Sequence, residues 1–588
     1  MAKGTMAGSR GRGARRWAGL GFAAAAAGLA LLVSAPGGSL AAQEAEKGAE
    51  AGAAPAKTLQ DAGTLLRSQD YAGATSILEA ITAREPNNAR AWAMLGFARH
   101  AAGDYEGALP AHLKAASFPQ TAPTGMYNAG VAYARLGRFD EAFEWLRKAK
   151  ATGRVNMTQL GLDPDAESLR ADPRYAELLP TEEEYAHPFV EDVKILREWR
   201  GEAAADQFGW IARNIGDVDG DGVNDVTTSA PSHGENGSSA GKVYAYSGGS
   251  GDLLWSREGE AGDQLGLGIE AAGDVNADGV PDVAAGAPGG GRALVLSGDD
   301  GRVLLELRGE AGGDAFGRKV SDVGDVNADG HDDVIVGAPE NDAAGEAAGA
   351  AYVYSGADGS VLLTLRGERA GDRFGSSAAG VVRNGELLLV VGAPGAGSNR
   401  GGRTYVYRGL GPDPAFVIEA DDTGASLGGM FVSIVGDVDA DGEPDVYASD
   451  WPNNAKGRST GRIYVRSGAT GKPLLTLTGE AAGDGFGIGP ADAGDVDGDG
   501  HDDLVIGAWQ QAGAAPSGGK VYVYSGRDGS LLETITGRVP GETFGFDATG
   551  MGDVDGDGAI DFLLTSAWSS VNGPRSGRMF IVSGRLSE

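Results

Sequence analysis

Residues 495–509 read DVDGDGHDDLVIGAW. Carboxylates occupy the first, third, fifth and ninth positions of this stretch, glycine occupies the sixth, and an apolar run follows at once. A single acidic turn of this kind is consistent with a solvated surface loop. The pattern returns five more times, beginning at Asp217, Asp274, Asp325, Asp437 and Asp553, with asparagine at the third position of the copies at Asp274 and Asp325. Repetition in a constant setting indicates a structural unit with a shared chemistry.

The unit that carries the acidic stretch repeats every 51 to 59 residues. Each copy begins with Phe-Gly or a near equivalent, at Phe208, Leu265, Phe316, Phe374, Leu427, Phe486 and Phe544. Small residues such as Gly286-Ala287-Pro288 and an alternating apolar segment such as Val521-Tyr522-Val523-Tyr524 complete the unit. Period-two alternation indicates antiparallel strands. About four short strands in a repeat of this length predict the blades of a β-propeller.

These repeats resemble the FG-GAP family, which forms the seven-bladed propeller at the head of integrin alpha chains and occurs in many bacterial surface proteins. The resemblance covers about two thirds of the chain. Two repeats depart from the family pattern. The fourth has Arg383-Asn384-Gly385-Glu386 in place of an acidic stretch, and the fifth has Ser426-Leu427-Gly428 in place of Phe-Gly.

The last repeat lacks the outer strand that the other six possess. It stops at Met579-Phe580-Ile581-Val582-Ser583-Gly584, whereas a spare apolar segment, Val193 to Trp199, precedes the first Phe-Gly. We expect this segment to pair with the last blade and close the ring, because an unpaired strand edge can pair with another chain and lead to aggregation.

The acidic stretches predict calcium sites. Calcium takes six to eight oxygen ligands, and glycine allows the turn that gathers them. Position seven is expected to add a main-chain carbonyl, and position twelve is never the glutamate that closes an EF-hand. We expect up to six structural Ca²⁺ ions. The candidate metal ligands are Asp217, Asp219, Asp221, Val223 and Asp225; Asp274, Asn276, Asp278, Val280 and Asp282; Asp325, Asn327, Asp329, His331 and Asp333; Asp437, Asp439, Asp441, Glu443 and Asp445; Asp495, Asp497, Asp499, His501 and Asp503; and Asp553, Asp555, Asp557, Ala559 and Asp561.

A second, shorter repeat precedes the first. Ala74, Ala108 and Ala142 are spaced 34 residues apart, each within a similar sequence, and Pro86 stands twelve residues after the first of them. This is the tetratricopeptide period. The segment resembles about three tetratricopeptide repeats, with residues 150–180 expected to end in a capping helix. Such arrays present a groove for a peptide or a protein, and a plain spacer is the alternative.

The amino terminus has the order of a secretory signal: arginines, an apolar run from Trp17 to Val33, and small residues. An uncleaved signal-anchor is the alternative. The sequence therefore predicts a multidomain chain, an all-α tetratricopeptide array followed by an all-β seven-bladed propeller. The predicted parts are a signal peptide (1–41), a linker (42–57), the helical repeats (58–180), a second linker (181–192) and the propeller (193–588).

The composition argues against several functional classes. Acidic residues outnumber basic ones by 82 to 49, and the resulting net charge of −33 disfavours nucleic acid as a partner. The absence of cysteine excludes disulfides, thiolate zinc sites and cysteine nucleophiles. Six scattered histidines, without an HExxH motif, offer little for histidine-based metal catalysis.

The preferred functional prediction is a non-enzymatic, secreted, periplasmic or cell-surface interaction protein of bacterial type, without a membrane span once the signal is cleaved. The propeller is expected to offer a rigid face to a protein or a glycan. The resemblance to integrin heads implies that the protein-contact surface is the face away from the calcium loops. A lectin-like propeller is the alternative, and a hydrolase or lyase is less favoured. Trp210, Trp451, Trp509 and Trp568 are candidate aromatic contacts, although blade core is the expected place for most of them. His233 is expected to be exposed to solvent.

Overall fold

The computed structural model describes residues 57–489 and 492–585 of the chain. They form two compact units. The first holds the described residues up to Val155 together with Gln159–Leu178, and the second holds Asn156–Thr158 and the described residues from Leu179 onward. The predicted signal peptide, and the linker after it up to residue 56, lie outside the described residues. No helix within the described ranges is long and apolar enough to cross a bilayer.

The first unit is a series of antiparallel helices, each in contact with the next. Its α-helices are α1 (Leu59–Arg67), α2 (Tyr71–Arg84), α3 (Ala89–Ala101), α4 (Tyr105–Ala116), α5 (Ala122–Arg135) and α6 (Phe139–Ala151).

The 34-residue period of the helical unit has a local cause. Asp70 and Asp104 cap α2 and α4, each accepting a hydrogen bond from the backbone N–H three residues later. Ala74, Ala108 and Ala142 are fully buried where neighbouring helices meet. A small side chain at this position lets the helices approach closely.

The segment after α6 differs from the expected capping helix. It forms three short 3₁₀ helices, Met157–Gly161, Pro164–Leu169 and Pro173–Leu178, and no α-helix. Prolines at the starts of the second and third 3₁₀ helices are compatible with a first helical position. Because 3₁₀ helices rarely extend beyond a few residues, the cap is a chain of short turns.

The second unit contains seven antiparallel sheets within its described residues. Blade 1 is β2 (Ala212–Asn214), β3 (Val226–Ala230), β4 (Lys242–Tyr246) and β5 (Leu253–Glu258); blade 2 is β6 (Ile269–Gly273), β7 (Asp282–Ala287), β8 (Arg292–Leu296) and β9 (Val303–Arg308); blade 3 is β10 (Lys319–Gly324), β11 (Asp333–Ala338), β12 (Ala350–Tyr354) and β13 (Val361–Arg366). Blade 4 is β14 (Ser377–Arg383), β15 (Glu386–Ala393), β16 (Arg403–Arg408) and β17 (Phe416–Glu419); blade 5 is β18 (Val432–Val435), β19 (Asp445–Asp450), β20 (Arg462–Arg466) and β21 (Pro473–Thr478). Blade 6 is β22 (Phe486–Ile488), β23 (Asp492–Gly494), β24 (Asp503–Ala508), β25 (Lys520–Tyr524) and β26 (Leu531–Thr536); blade 7 is β27 (Ala548–Gly552), β28 (Asp561–Ser566), β29 (Arg578–Val582) and β1 (Ile195–Arg200).

The sheets form a closed ring around their first strands. These strands contact one another in the order β2, β6, β10, β14, β18, β23, β27 and back to β2. The second strand of every blade is almost wholly buried, whereas the fourth strands are half-exposed. The unit is therefore a seven-bladed β-propeller.

The Phe-Gly residues join each blade to its neighbour. The Phe or Leu side chain is buried in every repeat, at most 1% exposed. In five repeats its backbone pairs with a glycine before the third strand of the preceding blade, as in the bridges between Leu265 and Gly241 and between Phe208 and Gly577. The second of these connects blade 1 to blade 7.

Blade 7 is built from both ends of the propeller sequence. Strand β1 pairs in antiparallel register with β29, with Trp199 opposite Met579. The predicted linker 181–192 contains a short helix, α7 (Glu182–Ala186), rather than extended chain alone. The wholly buried Arg578 bonds Glu542 at 2.7 Å, the Tyr185 carbonyl at 3.0 Å and Glu198 at 3.2 Å. This guanidinium therefore ties α7 and β1 to the last blade.

We expect Gly577→Ala to destabilise the propeller strongly. Gly577 has φ +86°, and a Cβ atom there would lie 2.0 Å from the Phe208 carbonyl oxygen. Gly385→Ala is the matched control, because it is also left-handed (φ +76°) but has open space around it. We expect the control to cost about 1–2 kcal/mol of unfolding free energy and Gly577→Ala clearly more. Equal losses in denaturant unfolding would contradict the importance of this junction.

Candidate metal-binding loops

The ninth-position aspartates organise the acidic loops. They follow the loop between the first and second strands of a blade, at the end of the propeller that we call the acidic end. All six are fully buried. In blade 1, Asp225 accepts from Val218 N at 2.8 Å and from Gly248 N at 2.9 Å, so one carboxylate fastens two adjacent loops. The other five make the same pair of bonds.

The first- and fifth-position carboxylates shape the turn itself. Asp495 accepts from the backbone N–H of Asp499 at 3.0 Å and of Gly500 at 2.9 Å, and Asp499 accepts from His501 N at 3.0 Å. Gly500 has φ +89°, a conformation that glycine adopts without strain. The same bonds recur in the other loops, so the turn is curled around its own acidic side chains.

These bonds bring carboxylates from different positions together. Four loops each contain three carboxylates with oxygens within 4.8 Å of one another. The groups are Asp217, Asp219 and Asp225; Asp437, Asp439 and Asp445; Asp495, Asp497 and Asp503; and Asp553, Asp555 and Asp557. In the loops of blades 2 and 3, Asn276 and Asn327 replace the third-position aspartate. An all-oxygen donor set of this kind fits a hard divalent cation such as Ca²⁺.

Burial disfavours the charged form of the ninth-position carboxylates. It raises the pKa of Asp282 to about 6 and that of Asp445 to about 7, and it raises the pKa of Asp225, Asp333 and Asp503. Nearby aspartates add to the effect. A bound cation would offset both costs, which again fits the loops as cation sites.

Blade 4 turns without an acidic loop. Strands β14 and β15 are joined by Asn384 and Gly385, with φ +53° and +76°. Two left-handed residues of this type form the tight turn that matches the strand twist of a hairpin. This blade therefore needs no carboxylates to shape its turn.

The four tryptophans that were candidate aromatic contacts belong to one aromatic cluster. Trp210 and Trp509 are buried, as expected for blade core, whereas Trp451 and Trp568 are half-buried. The rings of Trp509 and Trp568 are 4.9 Å apart, and those of Trp451 and Trp509 are 6.2 Å apart. Sequence reasoning missed that Phe546 belongs with them, 5.4 Å from Trp509.

Two features lay beyond sequence reasoning. His233 is buried, not exposed as predicted, because its Nδ1 lies 3.0 Å from a carboxylate oxygen of Asp206 in the Phe-Gly segment. Near the first strands, a chain of ion pairs runs from Asp547 through Arg213 and Glu270 to Lys319, with separations of 2.5, 2.5 and 2.9 Å.

Models of known families match both repeat types. A model described as FG-GAP repeat matches residues 208–246, 269–305 and 320–354, and one described as FG-GAP-like repeat matches 495–564. A tetratricopeptide repeat model matches residues 65–111. The FG-GAP models therefore match parts of blades 1, 2, 3, 6 and 7 of the propeller.

The chain is similar to integrin alpha chains. It is 31% identical to integrin alpha pat-2 of Caenorhabditis briggsae over 36% of its own length and 19% of that protein. It is 30% identical to Xenopus laevis integrin alpha-4 and integrin alpha-5, over 30% and 35% of its length and 18% and 21% of theirs. The chain thus spans about a fifth of these relatives. The crystal structure of BamB from Moraxella catarrhalis covers 66% of the chain at 12% identity, but its TM-score of 0.35 is too low to carry an argument.

We expect calcium to raise the melting temperature of the propeller and EDTA to lower it, because unscreened carboxylates repel one another in each loop. The fifth position is aspartate in all six loops, so Asp499→Asn should bind one Ca²⁺ fewer and gain less from calcium. It should melt no earlier than wild type in EDTA, since the amide oxygen can still accept from His501 N and one repelling charge is gone.

Asp358→Asn is the control, because this exposed aspartate caps a turn outside the acidic loops. It should keep the full calcium count and the full calcium response. Identical melts of the wild type in EDTA and in millimolar calcium would refute calcium bracing.

Proposed function

We propose that this protein is a non-enzymatic, calcium-braced interaction scaffold that works outside the cytoplasm, as a secreted, periplasmic or cell-surface protein. The observation behind the proposal is the set of six acidic loops. In each of them a buried ninth-position aspartate holds the turn by accepting backbone hydrogen bonds. The proposed ligands are the side chains at positions one, three, five and nine and the carbonyl at position seven. Extracellular calcium levels suit sites of modest affinity.

The contact surface that we propose is the end opposite the acidic loops, which we call the Phe-Gly end. Antiparallel succession places there the loops between second and third strands and the Phe-Gly segments. These loops differ in sequence between blades, and those of blades 2 and 4 are also shorter than the rest, whereas the acidic loops are nearly constant. A variable surface on a constant frame suits recognition. The helical repeats would supply a second docking surface for a peptide or protein.

Serine motifs in the propeller give no support to a hydrolase. The pattern G-x-S-x-G occurs at residues 237–241, 424–428 and 457–461. Ser426 of the second copy stands in the Phe-Gly segment of blade 5, and Ser239 and Ser459 of the other two copies both have φ +53°. In esterases this pattern needs a strand-to-helix turn. Here it lies between two strands, and the equivalent left-handed residue in other blades is Ala347 or Arg575. The serine is therefore one choice at a repeated turn.

We expect the mature chain, immobilised on a resin, to capture a protein from envelope extract in calcium and to release it in EDTA. The physical reason is that chelation loosens the loops that hold the blades. The same chain carrying asparagine at all six ninth positions should capture nothing in calcium. Retention of the same protein in EDTA would show that the interaction does not depend on calcium. Capture of no protein in either condition would contradict the proposed scaffold function.

A carbohydrate ligand is the second candidate, favoured by the aromatic cluster. Trp451 and Trp568 are half-buried at the Phe-Gly end, and the guanidinium of Arg575 lies 4.4 Å from the centre of the Trp568 ring. An aromatic face beside a cation suits an acidic sugar.

We expect Trp568→Ala to lower retention on immobilised acidic polysaccharide about fivefold or more if the cluster binds sugar, because stacking contributes about 1–3 kcal/mol. Trp145→Ala is the control, since this half-buried tryptophan belongs to the helical unit. Equal retention of both variants and the wild type would exclude the cluster as the sugar site.

A further inference from the structure

At one position of the Phe-Gly end, the side chain donates a hydrogen bond to a carboxylate in several blades. The backbone carbonyl at this position accepts from the glycine before the third strand, and the position is occupied by His233, Asn341, Asn453, Gln511 and Ser569. The side chain of Asn341 donates to Asp314 at 2.7 Å, and that of Ser569 donates to Glu542 at 2.7 Å. Asn453 and Gln511 likewise donate to carboxylates, at 2.9 and 3.3 Å. In these blades the donor is used within the fold.

Blade 1 differs because its histidine has a second nitrogen. Nδ1 of His233 takes the structural role, 3.0 Å from Asp206. Nε2 makes no hydrogen bond within the described residues, although His233 is only 4% exposed. A carboxylate oxygen of Glu235 lies 3.7 Å from Nε2. A buried polar atom without a hydrogen-bond partner destabilises the fold, and a ligand bound to Nε2 would remove that cost.

Two glutamate carboxylates lie close to the His233 ring. One ligand atom each from His233, Glu202 and Glu235 lies within 4.8 Å of the others. We propose that these three residues form a binding site for a divalent transition ion of the Zn²⁺ type, separate from the acidic loops at the other end of the blade. Water would complete the coordination, because both glutamates are exposed.

The surroundings of His233 match those of a metal-ligating histidine. Such histidines usually donate their other N–H to a carboxylate, which fixes the ring and its tautomer. Asp206 supplies that carboxylate and is itself held, because it also accepts from Ala203 N at 3.0 Å. Since a carboxylate can only accept, the proton in this contact is on Nδ1, and a neutral ring presents the lone pair of Nε2.

Charge balance also favours a dication. Lys242 lies 3.0 Å from Glu202, so the carboxylates of Glu202, Asp206 and Glu235 together with this ammonium leave a formal charge of −2. Lys242 also has a second carboxylate, Glu258, at 3.8 Å, and can remain paired if Glu202 turns to the metal. Imidazole with carboxylates suits zinc better than calcium, since calcium takes oxygen ligands only.

The test uses the mature chain in about 5 mM calcium, above the ~0.1–1 mM range of extracellular calcium modules, so that the acidic loops are filled. Zn²⁺ alone is added, and binding is measured by competition with a chromogenic chelator and by metal content after gel filtration. We expect one tightly held Zn²⁺ in the wild type. His233→Asn should lose it, because asparagine keeps the bond to Asp206, as Asn341 does in blade 3, but has no Nε2. Glu235→Gln should weaken zinc binding about tenfold or more.

Glu346→Gln is the control, because it removes one carboxylate from the equivalent loop of blade 3, which has no histidine. It should bind zinc like the wild type. Zinc binding by His233→Asn equal to that of the wild type would overturn the proposal, as would a wild type that retains no zinc. If His233→Asn melts well below the wild type in calcium, Glu235→Gln decides, because its exposed side chain is not needed for folding.

Discussion

A ring of sheets holds together only if its first and last sheets are joined. In this propeller three different contacts meet at that junction: β1 pairs with β29, the backbone of Phe208 bridges Gly577, and the buried Arg578 bonds Glu198 and the Tyr185 carbonyl. Without them, blade 7 would have three strands and an open edge, a known site of aggregation. Every other blade packs between two neighbours, so the burial of each inner strand depends on this one closure.

The two ends of the propeller are stabilised by different physics. At the Phe-Gly end, a buried ring and a left-handed glycine connect one blade to the next through the backbone, which leaves no room for a Cβ atom. At the acidic end, one buried carboxylate in each of six blades fastens loops of the same blade. Because the first kind of contact is made by backbone atoms, the loops around it are free to vary in sequence. That freedom makes the Phe-Gly end the place where a specific surface can develop.

The repeat spacing, together with the residue types at each repeated position, was enough to predict the fold class and to locate the acidic loops. The 34-residue spacing predicted the helical repeats, because Ala74 and its counterparts sit where only a small side chain fits. Features that depend on a single long-range neighbour were not predictable. His233 is buried because it pairs with Asp206, which comes from a different loop. The four tryptophans cluster because residues of blades 1, 5, 6 and 7 meet. The segment after α6 was wrongly predicted as a capping helix, since spacing carries no signal that separates an α-helix from successive 3₁₀ turns.

Seven copies of one scaffold make the departures from the repeat informative. A residue that recurs in most blades is explained by the blade itself, as the ninth-position aspartates are. Blade 4 departs where Asn384 and Gly385 make the turn without carboxylates, and the physics of the hairpin accounts for that change completely. His233 departs in the opposite sense, because it fulfils the structural hydrogen bond with one nitrogen and leaves the other buried, unpaired and directed at carboxylates. The scaffold does not need that second nitrogen, so its presence is better explained by a ligand than by folding.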